Sequence, residues 1–191
     1  MSDEENWRRF ERLALPHLDA AYNLARWLTR NDHDAQDVVQ DAVMRAMRYI
    51  DGLRAEGARG WLLQIVRNTC YTWLKKNRPA ERAVLDEADD AWGDFPAPAA
   101  DEPPAVALRN ADRQQLDAAI SALPVAYREV LVLRELEDLP YSDIARIADI
   151  PIGTVMSRLA RARGLLRVAL APEPRPSPQS VPGHAPGSAR S

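Results

Sequence analysis

Residues 141–167, YSDIARIADIPIGTVMSRLARARGLLR, decide how this chain folds. Ile144 and Ile147 fall on one side of a short helix, Tyr141–Ala148. Asp149 and Ile150 then make a turn, and Pro151 suits the first position of a second helix, where its missing N–H costs nothing. Beyond the turn, Val155, Leu159, Ala162 and Leu166 lie within about 60° of one another on a helical wheel, which marks a packed face. Met156, Ser157, Ala160, Arg161 and Gly164 occupy the opposite face, with Arg158 and Arg163 on its flanks. Residues 152–170 hold four arginines and no acid. Two short helices with a basic, small-residue face suit the DNA major groove. Ser157, Ala160 and Gly164 permit close approach, and Arg161 can reach a guanine edge with two hydrogen bonds. Arg158 and Arg163 would clamp phosphates on either side. The plainer alternative is an amphipathic helix with a solvated arginine face. The absence of acids, the Pro151-x-Gly153-Thr154 start and the two-helix spacing favour DNA.

Upstream, ADRQQLDAAISALPVAYREVLVLRELEDLP supplies Leu116, Ile120, Leu123, Val130, Leu131 and Leu133 as core. Residues 113–170 therefore form one helical domain. Residues 79–112 differ in kind: Pro79, Pro96, Pro98, Pro103 and Pro104 sit among alanines, with nine acids against two bases. Such a segment buries little and reads as a flexible acidic linker. The tail 171–191 is rich in Pro, Ser and Gly and is expected to be disordered.

Residues 1–78 return to helical spacing. In DAQDVVQDAVMRAMRYI (34–50), Ala35, Val39, Ala42, Val43, Ala46 and Ile50 define one face. Asp34, Asp37, Asp41, Arg45 and Arg48 cluster on the other, with Gln40 at its edge. Three readings stand for that polar stripe: an acid/base or metal site, a solvated face with pairs such as Asp41–Arg45, or a docking surface for another protein. Arg45 and Arg48 within the stripe, and the absence of histidine there, disfavour the first.

In RGWLLQIVRNTCYTWLKKNR (59–78), Leu62, Leu63, Val66, Cys70, Trp73 and Leu74 point one way, so Cys70 reads as a buried, inert thiol. Trp61, Gln64, Asn68, Tyr71, Thr72 and Lys75 point the other way, and the stretch holds five bases and no acid. Aromatic rings among amides and cations suit stacking against single-stranded bases. The alternative is that Trp61 and Tyr71 cover a neighbouring helix. The preceding DGLRAEGA (Asp51–Ala58) reads as a mobile loop, and loop and helix together could hold an extruded base.

Composition limits the alternatives. The 191 residues include 8 glycines and 12 aromatic residues, which disfavours an all-β fold. One cysteine permits no intramolecular disulfide and, with three histidines, makes a metal site improbable; it fits a reducing cytoplasm. No apolar run approaches the roughly 20 residues of a membrane span, and MSDEENWRRF has no signal-like apolar core. No cofactor and no membrane insertion are expected. The net charge of −3 hides the segregation of basic helices from acidic linker.

Taken in order, DAQDVVQDAVMRAMR, WLLQIVRNTCYTWLKKNR, an acidic linker and LPVAYREVLVLRELEDLPYSDIARIADIPIGTVMSRLARAR resemble the extracytoplasmic-function (ECF) sigma factors of bacterial transcription, over about residues 8–170. The resemblance implies an all-α protein of two small helical domains, 1–78 and 113–170. It implies that Asp37, Gln40 and Asp41 meet the clamp helices of the largest subunit of core RNA polymerase. It implies that Leu53, Trp61, Gln64, Asn68, Tyr71 and Lys75 read the single-stranded −10 element, with Asn68 lining a pocket for a flipped base. Thr154, Met156, Ser157, Arg158, Ala160, Arg161 and Arg163 are then the positions that read the −35 duplex. The acidic linker would thread the polymerase channels, and an anti-sigma factor is an implied partner. Four departures bear on specificity or geometry: Leu53 stands where many members have an aromatic residue, Met156 where Lys or Arg is frequent, Thr72 where Asp is common, and Asp149 where glycine usually makes the turn. The other function class compatible with the motif is a free-standing helix-turn-helix regulator.

Overall fold

The computed structural model describes residues 3–79 and 113–171, and the acidic linker and the tail lie outside them. Among the described residues every regular element is helical. Helix α1 spans Asp3–Leu13, α2 Leu18–Thr29, α3 Asp32–Arg48 and α4 Ala58–Asn77. A second group comprises α5 (Arg113–Ala122), α6 (Val125–Leu131), α7 (Tyr141–Ala148) and α8 (Ile152–Ala169).

The first group is a bundle in which α2, α3 and α4 pack against one another. Small and branched residues, Ala21, Leu24, Ala25 and Leu28 on α2, Ala35, Ala42 and Ala46 on α3, and Leu62, Leu63 and Val66 on α4, are all fully buried. Alanines on α2 and α3 let the backbones approach closely. The α2–α3 corner is built by three adjacent residues. The Thr29 hydroxyl donates to the Ala25 and Asn31 carbonyls at 2.9 and 3.0 Å. Arg30 adopts the left-handed conformation at the end of α2 (φ 57°). The Asn31 side chain then accepts from the backbone N–H groups of His33 and Asp34 at 2.9 and 3.0 Å, capping α3. Asp32 and Asp34 complement the positive end of the helix dipole.

On α3 the buried stripe is centred slightly differently from the expected one: Val38 is fully enclosed, and Val39 and Val43 are only partly so. The α3–α4 loop also differs from expectation. Ile50–Gly52 form a 3₁₀ turn, the Leu53 side chain is buried, and the Arg9 guanidinium of α1 donates to the Leu53 carbonyl. A mobile loop was expected from its glycines, but an apolar anchor and a cross-element hydrogen bond tie it to the bundle.

In the second group, Pro124 interrupts the helical run and separates α5 from α6. All seven residues of α6 are buried, including Arg128 and Glu129. The Arg128 guanidinium donates to the Ser121 and Leu123 carbonyls at 2.7 and 2.9 Å, satisfying the open end of α5. Burial, with Arg30 nearby, lowers its pKa to about 10. A single π turn, Val132–Leu136, follows α6.

Helices α7 and α8 form the expected helix-turn-helix. Ile144, Ile147, Val155, Leu159, Ala162 and Leu166 are buried between them and α6. Asp149 makes the turn in the left-handed region (φ 55°), which Asp tolerates at modest cost. Pro151 sits immediately before the first turn of α8 rather than inside it.

Candidate nucleic-acid interface

Three faces carry the residues singled out by the sequence. The first is on α3, where Asp37, Gln40 and Asp41 are all exposed, opposite the buried alanines. Asp41 pairs with Arg45 at 2.9 Å, and His33 Nε2 lies 3.8 Å from Asp37. Met44 and Tyr49 lie exposed on the same helix and just past its end. The face is polar, open and edged with apolar side chains. Among the described residues no group of three His, Cys, Asp or Glu side chains is placed to hold a metal.

The second face is on α4. Twenty residues make a helix about 30 Å long. Asn68, Thr72 and Lys75 are exposed, whereas Trp61, Gln64 and Tyr71 are half-buried. What covers them is the second helical group, because α7 packs on α4 and α6 packs on α2. The Tyr71 hydroxyl donates to Glu129 Oε2 at 2.9 Å, and Arg67 Nε donates to Glu129 Oε1 at 2.7 Å. The Arg67 guanidinium also lies 4.0 Å from the centre of the Tyr71 ring. Glu129 is 0% exposed. Burial, reinforced by the Glu129 charge, holds the Tyr71 phenol well above its ordinary pKa. Burial would lower the Arg67 pKa, but the Glu129 carboxylate outweighs it and the net shift is upward. Nearer the start of α4, Arg59 donates to Glu137 at 2.7 Å and Asn23 donates to the same carboxyl at 2.5 Å. Gln64 donates to the Arg146 carbonyl at 3.3 Å.

A cleft of about 260 Å³ lies where the Leu53–Gly57 loop meets α4, with Trp61, Gln64 and Arg146 on its walls. Glycine at position 60 permits the approach: a Cβ there would come within 3.1 Å of Arg146 Nη2. Leu53, expected to touch single-stranded DNA, is 4% exposed and belongs to the bundle core in this arrangement. Cys70 is fully buried, and burial raises its thiol pKa far above the ordinary value, so it is a poor nucleophile.

The third face is on α8. Ile152, Met156 and Ser157 are exposed, and Met156 is 54% so. Thr154, Ala160 and Arg161 are half-exposed, and Gly164 leaves open space where a Cβ would stand. The two flanking arginines are placed otherwise than expected. Arg158 is 6% exposed, because its position borders the buried stripe, and it lies near enough to Tyr71 to act on it electrostatically. Arg163 donates to Glu135 at 2.6 Å and so is held toward the π turn.

Sequence periodicity missed Arg59, Arg67, Asn23, Glu129, Glu137 and Arg146, the residues that join the two groups. One signal was present. Arg128 and Glu129 interrupt the apolar run VAYREVLVL, and a charge at a core position requires a specific partner.

Comparison with known proteins bears on this geometry. The family described as Sigma-70 region 2 matches residues 13–80, and Sigma-70, region 4 matches residues 113–166. The RNA polymerase sigma-H factor of Pseudomonas aeruginosa is 33% identical over 169 residues, covering 86% of this chain and 88% of that protein. The ECF RNA polymerase sigma-E factor of Haemophilus influenzae is 34% identical over 153 residues, covering 78% and 80%. Among solved structures, the sigma factor RpoE in complex with the anti-sigma factor NepR, from Bartonella quintana, superposes with a TM-score of 0.63 at 28% identity, covering 84% of this chain and 96% of that one. CnrH in complex with the cytosolic domain of CnrY has a TM-score of 0.60 at 24% identity, covering 88% and 91%, and shares the fold. The two matched regions fall on the two helical groups, in the order the sequence motifs anticipated. The chain belongs to the ECF sigma factors, alternative sigma factors that direct promoter-specific transcription and are not themselves enzymes.

Proposed function

We propose that the three faces divide the work of promoter selection. Asp37, Gln40 and Asp41 on α3 dock on the clamp helices of the largest subunit of core RNA polymerase. Trp61, Gln64, Asn68, Tyr71 and Lys75 on α4, with the loop at Leu53, take unstacked bases of the −10 element. Thr154, Met156, Ser157, Ala160 and Arg161 on α8 enter the major groove of the −35 element, with Arg158 and Arg163 turning to phosphates once DNA is present. The observation that carries this reading is the distribution of charge on the helices. The exposed face of α3 carries the acids, while α4 and α8 carry six arginines and two lysines between Ala58–Asn77 and Ile152–Ala169 without one acid. Phosphate-rich partners are repelled by the first and attracted by the others.

Each DNA-reading face is small and binds weakly alone. Polymerase supplies the geometry that lets both engage one promoter, so their affinities multiply. Residues 1–78 and 113–170 act as the −10 and −35 modules, and the acidic segment 79–112 crosses the polymerase channels between them. The working compartment is the cytoplasm, and no described helix is long and apolar enough to cross a membrane. An anti-sigma protein is a further partner, supported by the likeness to RpoE bound to NepR.

The test is in vitro transcription from a fragmented library of host genomic DNA, using purified core polymerase with and without the protein. New transcripts that share a two-part upstream sequence are expected. Sequence-specific duplex binding without polymerase, and no new transcripts, would replace this reading with a free-standing regulator.

A further inference from the structure

The exposed side of α8 is built of two parallel rows at four-residue spacing, at which side chains on a helix are surface neighbours. One row, Gly153, Ser157 and Arg161, is polar. The other, Ile152, Met156, Ala160 and Gly164, carries no charged, amide or hydroxyl group. Ile152 and Met156 are its largest side chains, yet they are 51% and 54% exposed. The row tapers along the helix from isoleucine to glycine. Packing does not require that glycine: among the described residues nothing lies within 4 Å of where a Cβ at Gly164 would stand. Glycine inside a helix is destabilising relative to alanine, so the space it leaves suits the close approach of a partner. On the polar row, the Ser157 hydroxyl donates to the Thr154 carbonyl at 3.1 Å, which leaves its oxygen as an acceptor.

Where a recognition helix enters the major groove, its N-terminal residues meet the base edges. Ile152 and Met156 stand in the first two turns of α8. Among the bases, thymine alone presents a methyl group in that groove. An apolar side chain laid on the hydrogen-bonding edge of another base would strip its water without replacing the bond. An unbranched thioether adapts its shape to a methyl group at little cost.

We propose that Met156, supported by Ile152, is a thymine-selecting residue: the apolar row of α8 reads 5-methyl groups in the −35 element, beside the hydrogen-bonding row of Ser157 and Arg161. This rests on the reading of α8 as the −35 face. Exposed apolar side chains scattered over a surface need no explanation. These two are neighbours on a helix with four arginines and no acid, which matches a phosphate-rich partner rather than an apolar protein groove. The row therefore makes a distinction that base pairing cannot make, thymine from uracil.

The test uses holoenzyme assembled from the full chain and core polymerase. Host genomic fragments that it retains are resynthesised with each −35 thymine in turn replaced by deoxyuridine, which pairs identically and lacks only the methyl group. Competition binding compares wild type, Met156→Ala, Ile152→Ala and Met156→Lys. Both side chains are exposed, so the fold should tolerate these changes.

The wild type should lose affinity about fourfold at one or two of the replaced thymines, the worth of one buried methyl-sized group. Met156→Ala should bind thymine and deoxyuridine alike at one of them. Met156→Lys should turn the preference there toward guanine, whose O6 and N7 accept from an ammonium. A wild type indifferent to deoxyuridine throughout, or a discrimination that survives in both alanine variants, would overturn the proposal. So would a Met156→Ala variant whose one defect is weaker binding to core polymerase, which would make the row a protein contact. Holoenzyme that retains no fragment at all would overturn the −35 reading and this proposal with it. That result is read before any thymine is replaced, so the two failures are distinct.

Discussion

The exposed faces of α3 and α4 belong to one bundle and share one core, yet they meet opposite conditions. The α3 face presents Asp37, Gln40 and Asp41 to solvent, with local pairs to His33 and Arg45. The α4 face presents Asn68, Thr72 and Lys75, but its arginines and aromatic rings are engaged by the other half of the chain. Helices of similar amphipathic design thus differ in availability, and the difference lies in what packs on them rather than in their own sequence. Phosphate contacts form wherever a basic face is free, and part of the basic face of α4 is engaged within the chain.

The comparison can be broken most severely at the shared core. Leu62→Ala removes a fully buried side chain from α4 and should cost about 2–5 kcal/mol of stability. Thermal unfolding followed by circular dichroism should show it, and polymerase docking and promoter opening should weaken together. Loss of one activity alone would mean that the two faces are supported independently.

The next effects should separate the faces. Asp37→Ala with Gln40→Ala should lower affinity for core polymerase by about tenfold or more, the ordinary consequence of deleting central polar contacts. Pull-down or anisotropy with labelled core would read it, and the fold should stay intact because both side chains are exposed. Asn68→Ala should do the reverse, sparing core binding and impairing promoter opening in permanganate footprints.

Arg161→Ala should weaken −35 duplex binding by about 1–3 kcal/mol and relax base preference at one position, as expected for a bidentate contact to guanine. Competition among −35 variants in the presence of core would measure it.

The smallest effect is that of pH on the packing of the two helical groups. Tyr71 faces Glu129, Arg67 and Arg158, and its phenol is held protonated well above the ordinary value of 10.0. The folded chain therefore keeps a proton that the unfolded chain would release, so this contribution is complete below pH 10.0 and declines as pH rises past it. Ultraviolet titration should find one tyrosine ionising late, and Glu129→Gln should bring it back toward the ordinary range.

Much of the fold was legible because helical spacing is a local property. The stripes Ile144–Ile147 and Val155–Leu159–Ala162–Leu166 are buried as the period requires, and Asp149 takes the left-handed turn between them. Errors arose where local signals compete with packing. Val38 rather than Val39 is fully enclosed, because α2 and α4 together set the rotation of α3. Two glycines suggested a mobile loop at 51–58, but the Leu53 side chain is anchored in the core and Arg9, distant in sequence, holds its carbonyl. The burial of Arg158, which its flank position on the helical wheel did not show, is likewise a product of packing.

The sequence by itself determined two helical groups, the amphipathic faces of α3, α4 and α8, and the segregation of acids from bases, since period and charge are written residue by residue. Only the tertiary structure decided which of those faces is open and which is covered. Arg67 and Glu129 are 62 positions apart and Arg59 and Glu137 are 78 apart. Pairing across such distances leaves no periodic trace, because it depends on how one folded group packs against another.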